Sequence, residues 1–102
     1  MTYKVFISEQ AEQDLNDIYS FIYNELKSKI SADRVSQRLR NAMLGLSMMP
    51  KRFQVYPSEP WFSRGVRSAH VGKYLVFYLV NDDKDDVLIL RIVYGKRNVG
   101  NL

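Results

Sequence analysis

The 102-residue chain has no cysteine, one histidine, one tryptophan and three prolines. Without cysteine there is no disulfide framework and no thiolate metal site. A lone imidazole, His70, cannot anchor an all-protein zinc site, so no metal is expected. No apolar run approaches the ~20 residues of a membrane-spanning helix. The opening Met1-Thr-Tyr-Lys-Val-Phe-Ile lacks the layout of a secretory leader. These absences fit a reducing cytoplasm, and no membrane partner is expected. The length allows one domain over residues 1–102, with a modest core and no room for a deep cofactor cleft, so no cofactor is expected either.

What is present is an ordinary globular balance, 46% hydrophobic and 25% charged, with a net charge of +4. A basic balance permits attraction to nucleic acid or to an acidic protein, so where the cations fall matters more than their sum.

Residues 3–7 alternate as a short strand. Ser8, with Glu9 and Glu12 behind it, announces a helix N-terminus. The stripe Ala11, Leu15, Ile18, Ile22, Leu26 carries that helix over about residues 9–28, with Gln13, Asp14, Asn16 and Asp17 on its other side. After a polar break, Ser31 is positioned to cap a second helix with the stripe Val35, Leu39, Ala42, Met43, Leu46, Met49, stopped by Pro50. Gly45 inside it suggests a close approach between the helices. A loop over about residues 51–63 holds Tyr56, Trp61 and Phe62, aromatics suited to pinning it over the sheet edge. Strands follow at about 65–71, 73–80 and 87–94, with Gly72 and the Asp-rich stretch 81–86 at the turns. The order β-α-α-β-β-β makes an α+β domain, with a helical hairpin packed on one face of a mainly antiparallel four-stranded sheet.

Strand alternation places Leu75, Phe77 and Leu79 toward the helices and Arg91, Tyr74 and Tyr78 on the open face, provided no bulge shifts the register. Arg67, Arg91, Lys96 and Arg97 are the cationic candidates there, with Arg64 and Lys73 at the margins. Guanidinium forks suit phosphates or carboxylates. Residues of these types also populate any exposed sheet. His70 has no neighbour at triad spacing. The Asp82-to-Asp86 run lacks EF-hand spacing, and Gly95-Lys96-Arg97 is not a P-loop.

Along nearly its whole length the chain resembles the RelE/ParE toxin superfamily of bacterial type II toxin–antitoxin modules. The resemblance lies in Tyr3-Lys-Val-Phe-Ile-Ser8, Ala11-Glu-Gln-Asp-Leu15, Ile18-Tyr-Ser-Phe-Ile22, Leu46 and Pro50, Arg64-Gly-Val-Arg67, Val71-Gly-Lys-Tyr74, Val76-Phe-Tyr78, and Ile89-Leu-Arg-Ile-Val-Tyr-Gly-Lys-Arg97. It implies two rival activities. RelE-like members cleave messenger RNA on the ribosome without a metal, and Arg67, Arg91 and Arg97 would be the catalytic cations. ParE-like members inhibit DNA gyrase by binding. In either case Arg64, Arg67, Tyr74, Tyr78, Arg91, Tyr94, Lys96 and Arg97 would contact the target or a cognate antitoxin.

The chain departs from the nuclease pattern. Leu75 stands where that branch has arginine, no tyrosine follows Arg97, and Tyr94 occupies the place of a histidine found in other nuclease branches. With the long helical hairpin, this favours the gyrase-directed branch; the ribonuclease and a decayed, non-toxic binding module are the alternatives. The implied assembly is a homodimer or a toxin–antitoxin hetero-oligomer, and the reading expects Arg67, Arg91 and Arg97 to lie together near one end of the sheet.

Overall fold

The computed structural model describes residues 2–96. Strand β1 (Lys4–Ile7) leads into α1 (Glu9–Leu26) and α2 (Lys29–Gly45); a 3-10 turn (Pro50–Arg52) and a loop precede β2 (Arg67–Val71), β3 (Tyr74–Asn81) and β4 (Asp86–Tyr94). The sheet order is β1-β4-β3-β2. β1 runs parallel to β4, and the other two pairings are antiparallel. The β-α-α-β-β-β domain with a helical hairpin on a four-stranded sheet is therefore the observed fold.

The helix ends are set by short side chains. Ser8 Oγ accepts from the Ala11 N–H at 3.0 Å, as a capping hydroxyl should. α1 ends earlier than the stripe suggested, because Lys27 turns left-handed at φ 50°. α2 correspondingly begins earlier: Ser28, not Ser31, is its cap, and Ser31 supplies the N–H that Ser28 Oγ receives at 3.1 Å. The same helix stops at Gly45 rather than at Pro50, which instead opens the 3-10 turn. No close helix approach explains Gly45, since nothing lies within 4 Å of where its Cβ would sit. Between β2 and β3, Gly72 takes φ +59° in a two-residue hairpin with Lys73, a turn whose first position favours glycine.

The strand faces are the reverse of those the alternation suggested. Tyr74, Val76, Tyr78 and Val80 pack with Ala11, Leu15, Leu39 and Met43 beneath the helices. Leu75, Phe77 and Leu79 lie on the other face under Trp61, Val66 and Tyr56. The indole stacks on Phe77 at 5.2 Å between centroids, and Tyr56 meets the same ring edge-on at 5.1 Å. The loop thus covers the sheet's second face rather than its edge. A bulge compounds the inversion: Phe77 pairs with Arg91 and Tyr78 with Ile89, so Leu90 is the extra residue. Ile89 and Ile92 consequently both belong to the helix-side core.

Two polar clasps hold these layers together. The first lies at the bulge. Asp14, assigned above to the polar side of α1, is 7% exposed. Its Oδ2 accepts from Arg91 Nε and the Ile92 N–H, both at 2.9 Å. Its Oδ1 accepts from Arg91 Nη2 at 3.1 Å and Gln10 Nε2 at 3.0 Å. The second clasp holds the 3-10 turn. Tyr78 Oη, fully buried, donates to the Pro50 carbonyl at 2.6 Å. Its cross-strand partner Arg67 donates from Nη1 to the Phe53 carbonyl at 2.6 Å and the Lys51 carbonyl at 3.3 Å.

Removing either clasp has a stated cost. Asp14→Ala leaves the Arg91 guanidinium and the Ile92 N–H without their acceptor and is expected to destabilise the fold by about 3 kcal/mol. A thermal melt should show a midpoint lowered by roughly 15 °C; a shift under a few degrees would mean that the clasp is not structural. Tyr78→Phe strips the Pro50 carbonyl of its donor and is expected to cost about 1–2 kcal/mol in urea unfolding. Burial pushes the Tyr78 phenol up to about 12, against the opposing pull of the Arg67 and Arg52 guanidiniums. Between pH 10 and 12 the unfolded chain therefore releases this proton while the folded one keeps it. Stability falls across that window, and the Tyr78→Phe protein should show a shallower fall.

Candidate functional site

The proposed cations do not form one cluster. Arg67 lies on the edge strand β2 and Arg91 on β4, with β3 between them. Each is turned inward: Arg67 grips loop carbonyls and Arg91 the Asp14 carboxylate. Arg91 and Tyr78 are accordingly not on an open face, contrary to the alternation. Arg97 lies outside the described residues. Arg64 is exposed on the loop, its guanidinium 5.4 Å from the centre of the Trp61 ring, a cation–π contact.

Tyr74 and Tyr94 form a cross-strand pair on the side of the sheet that faces the helices. Their rings meet edge-on, with centroids 6.0 Å apart and planes at 78°. Tyr74 is half-buried, and burial, reinforced by the neighbouring Tyr94, raises its phenol above its ordinary value. Tyr94 remains 42% exposed. Lys96 follows, exposed, just past the Gly95 N–H that bonds the Lys73 carbonyl at 2.8 Å. This tyrosine pair helps line a groove of about 1090 Å³ whose other walls come from the helical hairpin and the sheet.

The groove has two walls. The hairpin contributes Ile18, Phe21, Leu26 and Val35, and the sheet end contributes Val71 and Tyr74. Phe21 and Leu26 are 64% and 65% exposed, a degree that isolated core packing does not require. Arg38 of α2 lines the groove beside the Gly72 turn: a Cβ on Gly72 would come within 3.1 Å of its Nη1.

Sequence reasoning missed Asp14, Arg38 and the groove. Asp14 lies three residues after Ala11 and four before Ile18, so it belongs to the apolar stripe, and an acid in such a stripe is the signal that marks a buried partner. Phe21 and Leu26 gave none, because a helical stripe does not say which of its members the sheet reaches.

As a hydrolytic centre the arrangement is sparse. Arginine holds phosphate well and is a poor general base. His70 is exposed on β2, and no hydrogen bond links it to an acid among the described residues. Leu75, in the place where the resembled nucleases carry arginine, is a buried packing residue at 3% exposure. No group of three or more His, Asp or Glu residues that could hold a metal occurs among the described residues. No described helix is long and apolar enough to cross a membrane.

Comparison with known proteins places the chain. Residues 5–99 match the family model of the ParE toxin of the type II toxin–antitoxin system parDE. The fold is similar to that in the chromosomal ParDE toxin–antitoxin system of Pseudomonas aeruginosa (22% identity, 91% of this chain and 96% of that one, TM-score 0.74). It is also similar to that in the toxin–antitoxin complex RelBE2 of Mycobacterium tuberculosis (24% identity, 92% of each chain, TM-score 0.70). A mutant of the Escherichia coli toxin RelE in its free state aligns over 99% of this chain and 92% of that one, at 13% identity and TM-score 0.66. No curated protein sequence matches the chain. With the family model spanning nearly the whole described structure, this chain belongs to the ParE toxin family of type II toxin–antitoxin systems.

Proposed function

We propose that this toxin arrests growth in the bacterial cytoplasm by binding DNA gyrase, without hydrolytic chemistry of its own, and that a cognate antitoxin neutralises it. The observation that carries the reading is the engagement of Arg67 and Arg91. An RNA-cleaving centre needs cations free to hold the scissile phosphate and a group to move its proton. Here one arginine is a loop clamp and the other is half of a partly buried ion pair. Leu75 and Tyr94 stand where nuclease branches place arginine and histidine, and the matching family model is that of ParE. What remains exposed among the described residues is suited to contact: Arg64 on its aromatic-anchored loop, Tyr94 and Lys96.

The antitoxin part of the reading rests on the groove. Two of the structures compared above are toxin–antitoxin systems by description. An apolar groove with exposed Phe21 and Leu26 is a natural seat for a segment that folds on contact.

The test is to induce the protein alone in bacteria and follow growth, plasmid supercoiling and message ends. Growth should stop, supercoiling should fall and messages should stay intact. Ribosome-dependent cleavage of messages with normal supercoiling would establish the ribonuclease reading instead. Unchanged growth would mark a decayed binding module.

A further inference from the structure

The groove has an uneven charge layout. Of its acids, Asp14 is neutralised by Arg91, while Asp17 of α1 accepts from the uncharged Gln13 amide at 2.8 Å and keeps its charge. Its cations stand together on the other side, where α2 meets the Gly72 turn. Arg38 and Lys73 line the groove and are exposed, and neither forms a hydrogen bond or ion pair among the described residues. The two come from different elements. Arg38 projects from α2 and lies against Gly72; Lys73 is the next residue of the same turn. Where α2 meets the Gly72 turn, the groove therefore carries two positive charges without an ion-pair partner among the described residues, on a chain whose net charge is +4.

At about 1090 Å³ the trough lies at the upper end of the ~300–1,000 Å³ typical of small-ligand pockets. Its long wall is a pair of helices bearing apolar residues at helical spacing (Ile18, Phe21, Ile22). Such a wall fits the apolar face of another helix, whose own anchors recur at three- and four-residue intervals. The cations then decide what that helix must carry at the end that reaches Gly72.

We propose that Arg38 and Lys73 select the occupant of this groove. That occupant is an amphipathic helical segment with apolar side chains along one face and carboxylates at the end that meets the Gly72 turn. The inference rests on the antitoxin reading above and adds the chemistry by which the partner is chosen. Apolar burial supplies affinity without direction. Charge-assisted hydrogen bonds at one end fix the polarity of the helix and reject segments lacking the acid.

The test uses the full chain and two synthetic helical peptides of about 20 residues, long enough to form helix in part. Both carry leucines at helical spacing; one has two glutamates at one end, the other two glutamines. Fluorescence anisotropy should show the glutamate peptide binding about tenfold more tightly. The gap should close at about 1 M salt. It should also close in an Arg38→Gln/Lys73→Gln variant whose thermal melt matches the parent. Equal binding to the parent chain, absence of binding, or a preference that survives in the variant would overturn the proposal. So would sedimentation showing that the chain alone dimerises through the groove, with Leu26→Glu restoring monomers. The two readings fail separately. Gyrase inhibition without charge preference overturns only the selection by Arg38 and Lys73. Charge-selective binding with supercoiling untouched overturns only the gyrase target.

Discussion

Asp14 sits where three structural demands meet. β1 stops pairing at Ile7, so the next stretch of β4 has no neighbour on that side and the Ile92 N–H needs an acceptor. The bulge at Leu90 turns Arg91 away from a regular ladder position. α1 must be fixed to the sheet at this level. One nearly buried carboxylate answers all three, accepting from Arg91, Ile92 and Gln10. A charge so placed is costly unless fully bonded, and here each oxygen has two donors. Ser8 completes the junction. Its N–H and Oγ donate to the Ile89 and Leu90 carbonyls, while the same Oγ caps α1. Sheet, bulge and helix are thereby tied within a few residues.

This tie bears on how such a toxin works. Arginine is the residue expected to touch a polyanionic target, yet Arg91 is half of the ion pair that joins α1 to β4. Arg67 likewise holds the segment between α2 and β2 against the sheet. Cations that shape the scaffold are not free to handle a phosphate. What the scaffold projects instead is the groove beside the hairpin, the Tyr74–Tyr94 pair and the loop that Trp61 anchors.

Much of the fold was legible because helix stripes and turn residues are local. Ser8, the Leu15–Ile22 stripe, Gly72 and the Asp-rich turn each give their element directly. The strand faces were not legible. In β3, Leu75, Val76, Phe77 and Tyr78 are all buried, since helices cover one side and the aromatic loop the other. With both faces apolar, alternation no longer distinguishes them. The bulge is set by tertiary contacts around Ser8 and Asp14, and nothing in the sequence of β4 announces it. For the same reason the individual cationic and phenolic residues could be named while their engagement could not. Arg67, Arg91 and Tyr78 read as exposed chemistry and are internal supports. Asp14 stood in the apolar stripe as an acid without a visible partner, and Arg38 carried no motif; their roles follow from what the fold sets beside them.

The parallel pairing of β1 with β4 joins the first and the last of the described elements. Helices can form as soon as they emerge during synthesis, but this pairing closes the longest loop the domain contains and waits for its final strand. Asp14 meets Arg91 at the same late moment. A partly translated chain thus lacks both the finished sheet and the ion pair that sets α1 upon it. Assembly of the domain therefore waits for β4, the last of its described strands.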